Sequence, residues 1–190
     1  MNKNNGFTLV ELMVVMAIVG ILLAVGAPGM RAYISNSASN SLSSTLLIDI
    51  MYARNHAISN EVIVKMIPTG SSDSGISTFT PNSAGVNWGE GWDIFEDSDN
   101  DNVIDAPDEL IIRNHASFGP GAHISSGPAS ELLDINNPIG FNPDGTSIRT
   151  GTLTIATFGC AGENARTIRI NQIGQVIGND IQCPISFTNL

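Results

Sequence analysis

The pattern of apolar and polar positions divides the chain into a helical start and a strand-rich remainder. A short polar, basic stretch, Met1–Gly6, precedes an apolar run from Phe7 to Ala27 whose only charge is Glu11. At ~1.5 Å per residue that run extends roughly 30 Å, the thickness of a bilayer core. Lys3 on its short N-terminal side directs the rest of the chain outward by the positive-inside bias. Pro28, with Gly26 and Gly29, is expected to loosen the helix at the end of the run. Further on, Leu42, Leu46, Ile50, Ala53 and Ala57 recur at three- and four-residue spacing, one face of an amphipathic helix. Ser35–Ser44 reads as solvated helix or a frayed stretch, and Asn60 as the stop. Residues 7–60 are therefore expected to form one helix of roughly 80 Å.

Beyond residue 60 the period falls to two. Val62–Ile67, Trp92–Phe95, Glu109–Arg113, Ile139–Phe141, Thr152–Phe158, Arg166–Ile170 and Ile173–Ile177 are strand candidates. Pro68 ends the first, and Asn142-Pro143-Asp144-Gly145 is a strong turn signal. Ala116–Asn137 reads as loop with one short strand. Strands that follow a helix, rather than alternate with it, predict an α+β fold with an antiparallel sheet.

Composition narrows the function classes. With 190 residues the chain can bury a core, and its 14% charged residues are fewer than usual. Eighteen acids against eight bases give a formal charge of −10, which repels phosphate backbones and disfavours nucleic-acid binding. Arg149, Arg166 and Arg169 are the only bases after Arg113, and Gly174–Leu190 has none. Two cysteines exclude a zinc ribbon, and His56, His115 and His123 have no partner spacing for catalysis or metal binding. No phosphate-binding loop or nucleophile elbow is present. Trp88 and Trp92 read as sheet core rather than a stacking platform.

Glu11 is the informative exception in the apolar run. A carboxylate inside such a run is costly and usually seeks a partner. A cleaved secretory signal would account for the small residues Ala24–Gly29 but not for Glu11. Gly6-Phe7-Thr8-Leu9-Val10-Glu11-Leu12 resembles the type IV prepilin leader. The resemblance implies cleavage after Gly6 by the prepilin peptidase, N-methylation of Phe7, and docking of Glu11 on the terminal amine of a neighbouring subunit. Three body segments narrow it to the GspH/FimT/FimU group: Tyr52-Ala53-Arg54-Asn55-His56-Ala57-Ile58, Trp88–Asp97, and Ile139–Gly145 with Ile173–Val176. Gln175 departs from that group, which often has arginine there.

The resemblance implies the type IV pilin fold. Residues 1–6 would be the leader, 7–29 a transmembrane and filament-core helix, 30–60 an amphipathic helix, and 61–190 a β-rich head. It implies a minor pilin, not an enzyme, at or near the filament tip, helping to initiate assembly. Its partners would be minor and major pilins, the prepilin peptidase, the inner-membrane assembly platform and, before assembly, membrane lipid. The chain would sit in the bacterial inner membrane with a periplasmic head, then in an extracellular filament. A type II secretion pseudopilin shares this architecture. A DNA-uptake pilin is a further alternative, which the charge opposes, and a calcium-regulated adhesive tip is another.

Two constellations remain. Nine acids and no base lie between Glu90 and Glu109. Asp97, Asp99, Asp101, the Val103 carbonyl, Asp105 and Asp108 have the spacing of a calcium loop, with Asn102 for the turn glycine and Ile104 at the apolar position. Asp108 stands where a glutamate is usual, and Glu109 is one place late. The alternative is a solvated hairpin tip rich in turn-forming residues. No cofactor is required, and calcium is the one candidate ion. Cys160 and Cys183, outside the cytoplasm, would form the C-terminal disulfide common in pilin-like proteins, rather than two buried thiols.

Overall fold

A computed structural model describes residues 8–69, 88–102, 104, 109–119, 121–126 and 138–184. The side chains of residues 25, 27–29 and 31 also lie outside that set. One helix, α1 (Leu9–Asn60), is followed by β1 (Val64–Pro68), a 3-10 turn (Trp88–Glu90), β2 (Gly91–Glu96) and β3 (Ile111–Ala116). Then come β4 (Ala122–Ser126), β5 (Ile139–Phe141), β6 (Gly151–Thr157), β7 (Ala165–Ile170) and β8 (Val176–Ile181). The class is α+β, a long N-terminal helix packed on antiparallel sheets.

The first half of α1 is apolar and exposed, with Leu9, Val10, Leu12 and Met13 among its uncovered side chains. Among the described residues no helix is long and apolar enough to cross a membrane. The helix continues through Pro28 without an assigned break. It ends at Asn60 because Glu61 takes the left-handed conformation (φ 57°) and returns its N–H to Ala57 O.

The predicted apolar stripe is the helix face that builds the core. Leu42, Leu46, Ile50, Ala53 and Ala57 are fully buried against residues of both sheets, Met66, Trp92 and Ile94 on one side and Leu153, Ile155 and Ile168 on the other. The single sheet expected from the pattern is in fact two four-stranded antiparallel sheets, ordered β3-β2-β1-β5 and β4-β6-β7-β8. Ala53 and Ala57, small and fully buried, let neighbouring strands approach the helix closely.

Two strands begin later than expected, and the one short strand expected within Ala116–Asn137 is β4. The third begins at Ile111, and Glu109, ahead of it, is buried. Residues 122–126 form β4 inside the ambiguous stretch. The last strand begins at Val176, not Ile173. Gly174 sits in the preceding turn at φ +73°, where a Cβ would lie 1.9 Å from Gly145 O. Arg54 ties these two turns to the helix, Nε donating to Gly145 O at 3.0 Å and an Nη to Ile173 O at 3.2 Å.

The β1–β2 pair is buried on both faces. Val64, Met66, Trp92 and Ile94 face the helix, and Ile67 and Phe95 form a second cluster with Ile104. Ile104, at the apolar position of the acidic loop, thus folds the loop back over the outer face.

Candidate functional site

Three places carry the features singled out in the sequence. The first is the start of α1. Thr8 is the N-cap, and with Glu11 it forms a reciprocal capping box. Thr8 N and Oγ1 donate to Glu11 Oε2 at 3.1 and 3.0 Å, and Glu11 N donates to Thr8 Oγ1 at 3.3 Å. The expected docking carboxylate therefore already has a partner within its own helix. Both bonds fall on one oxygen, so Oε1 remains available to a second donor. Gly6 and Phe7 lie outside the described residues.

The second is a polar clasp around helix residues 35–40. Thr157 Oγ1 donates to Ser35 O at 2.6 Å, and Ala161 N donates to Asn36 Oδ1 at 2.9 Å. Ser39 Oγ donates to Asn164 O at 2.5 Å. The Ser-rich stretch that could have been solvated helix or frayed is helical, held by the Ser39 hydroxyl, the Asn36 amide and the Ser35 carbonyl on β6 and the loop after it. Cys160 and Cys183 are disulfide-bonded, with Cα atoms 6.0 Å apart. The bond ties the loop that grips the helix to the segment after β8, and Cys183 N also donates to Gly162 O at 2.8 Å.

The third is the acidic loop between β2 and β3. Asp97, Asp99 and Asp101 are described; Val103, Asp105 and Asp108 lie outside the described residues. Asp97 is fully buried, in an ion pair with the equally buried Lys65. The pairing register places Lys65 opposite Phe95, so Asp97 is its diagonal neighbour on the same face. Asp97 Oδ2 also accepts from Asn102 N at 3.1 Å, while Glu109 Oε1 accepts from Ser98 N at 3.0 Å. The carboxylates of Asp97, Asp99 and Glu109 come within 4.8 Å of one another. Asp101 is exposed and outside this group, its N–H bonded to Asp99 Oδ1 at 3.1 Å. Glu109 and Lys65 were missed in the sequence. Glu109 falls one place beyond the loop spacing, and Lys65 is 32 residues upstream of Asp97.

The histidines are structural. His56 Nε2 pairs with Glu96 at 2.7 Å. His115 packs against both Trp92 and Phe118, 4.8 and 4.6 Å from their ring centroids, and those two rings stack on each other at 5.5 Å. Burial holds the His123 imidazole below its usual pKa. Arg166 pairs with Asp180 at 2.8 Å across β7 and β8.

Residues 42–174, more than two thirds of the chain, match the family profile described as Type II transport protein GspH. The chain belongs to the GspH family. Residues 1–27 of this GspH-family chain also match the prokaryotic N-terminal methylation motif. It is a type IV pilin-like protein, structural rather than enzymatic. The type IV major alpha-pilin of Moraxella bovis is 50% identical over 46 residues, 24% of this chain and 29% of that pilin. Fimbrial protein Q of Moraxella bovis is 57% identical over 37 residues, 20% of this chain and 24% of its own length. The chain thus spans under a third of the curated relatives it matches. Two crystal forms of the Pseudomonas aeruginosa type IV minor pilin FimU are each 18% identical with a TM-score of 0.49. The matches cover 81% of this chain and 91% of FimU in one form, and 75% and 90% in the other.

Proposed function

We propose that this chain is a minor pilin of a type IV pilus, incorporated at or near the filament tip, where it helps to initiate assembly. The observation that carries the reading is the join of two unlike halves in one 52-residue helix. The first half exposes large apolar side chains from Leu9 to Leu23, which water disfavours and a membrane or a bundle of like helices would cover. The second half is fixed to the head by a buried apolar stripe and a polar clasp, so a pull on the helix is passed to the head.

In this reading residues 1–6 are removed, Phe7 becomes the methylated terminus, and residues 7–29 span the inner membrane before entering the filament core. Residues 30–60 carry the head, residues 61–190. Glu11 docks by its second oxygen onto the amine of a neighbouring pilin, while Thr8 holds the first. The assembly platform and the other minor and major pilins are the partners.

A second reading is a minor pseudopilin of type II secretion, favoured by the matching family, which is that of a type II transport protein. Deletion of the gene in its host separates the two. The pilus reading expects loss of surface filaments by electron microscopy, restored by the wild-type chain and not by Glu11→Ala. Normal filaments with a loss of secreted exoproteins would favour the pseudopilin.

A further inference from the structure

We propose that Asp97, Asp99 and Glu109 form a calcium site at the base of the β2–β3 loop. The three carboxylates lie within 4.8 Å of one another although they come from different ends of the loop. Like charges at such separations repel, and a cation between them would turn that repulsion into attraction. Lys65 meets only part of the need. It pairs with Asp97 Oδ2, the oxygen that also accepts from Asn102 N. The other oxygen, Asp97 Oδ1, is buried and has no hydrogen-bond partner among the described residues. Asp97 is 0% exposed, so water does not solvate that oxygen from outside. An orphaned carboxylate oxygen inside a protein is the atom a metal ligand leaves behind.

Charge and donor type select the ion. Asp97, Asp99, Glu109 and Lys65 together carry a formal −2, which one divalent cation balances. The donors are all carboxylate oxygens, with neither imidazole nor thiolate in the set, which excludes zinc and copper preference. Calcium accepts irregular oxygen sets and completes its shell with carbonyls and water, whereas magnesium demands a near-ideal octahedron. The assignment differs from the loop spacing in the sequence. Glu109 supplies the closing carboxylate, and Asp101 faces solvent. Its role follows from position: Asp97 and Asp99 follow β2, Glu109 precedes β3, and one ion would fasten the two ends of the loop together. The inference is independent of which filament the chain enters.

The full chain, purified in detergent and stripped with EDTA, would be titrated with calcium chloride by calorimetry and melted with and without millimolar calcium. The expected result is saturable binding, with a Kd of about 10−4 to 10−3 M as in extracellular modules, and a higher Tm with calcium. Asp99→Asn keeps the exposed loop residue's shape and should weaken binding at least tenfold, with an unchanged far-UV spectrum and Tm in EDTA. Glu109→Gln should do the same, and Asp101→Asn should bind as wild type. No heat and no Tm change in the wild type would overturn the site. So would an Asp99→Asn chain that binds as tightly as wild type, and an equal response to magnesium would overturn the choice of calcium.

Discussion

Trp92 donates its indole N–H to Asp49 Oδ2 at 2.8 Å, joining the middle of β2 to the buried face of the helix. Asp49 is fully buried among apolar neighbours, and Arg113 on β3 comes to 3.0 Å of its Oδ1. The guanidinium also lies over Tyr52, 5.1 Å from the ring centroid. A buried carboxylate on an apolar stripe needs such partners, and here they come from two adjacent strands. Asp49→Ala would leave the indole N–H without an acceptor inside the protein. The expected loss is about 1–3 kcal/mol, read from urea unfolding. An unchanged midpoint would show that the indole finds another acceptor at no cost.

The helix stripe should be more sensitive than the exposed face of the same helix. Leu46 is completely buried between the sheets, whereas Ile48 is 58% exposed. Leu46→Ala is expected to cost about 2–5 kcal/mol through lost transfer energy and a residual cavity. Ile48→Ala should change the stability of the isolated chain by under about 0.5 kcal/mol. Equal losses at both positions would contradict the packing described.

The disulfide should stabilise the head and guard the clasp. Replacing Cys160 and Cys183 together by alanine is expected to lower stability by about 3 kcal/mol, from the reopened loop entropy. Amide exchange should quicken first at residues 157–164 and at helix residues 35–43, which that loop grips. Uniform acceleration over the whole head would argue that the bond has no local role.

His123 gives the head a pH dependence. Burial lowers its folded pKa below the unfolded value, so the unfolded chain binds the proton first. Its contribution is fully present above the unfolded value of about 6.5 and is lost as pH falls from there through the folded pKa. Melting between pH 7.5 and 5 should therefore show a fall that is smaller in His123→Gln. The same slope in both would remove His123 as the cause.

Much of this could be read in advance because each signal was local. Glycine-phenylalanine-threonine followed by Glu11 is a contiguous motif, and the stripe from Leu42 to Ala57 has the period of the element it forms. The disulfide was the only pairing two cysteines allow. What was missed depends on contacts between distant segments. Two sheets instead of one followed from which strands meet across the helix, a matter of long-range pairing that period two does not encode. Glu109 joined Asp97 and Asp99 through the return of the loop, not through its spacing. Lys65 reached Asp97 only through the register of β1 on β2, and nothing in the spacing of Asp49 pointed to Trp92 and Arg113, which come from distant strands.

The most direct test of the central claim is immunogold labelling of native filaments with antibody against the head. A tip-associated minor pilin predicts sparse gold confined to one end of each filament, absent from the deletion strain. Filaments that carry no label at any position, with the chain remaining in the membrane fraction, would contradict it.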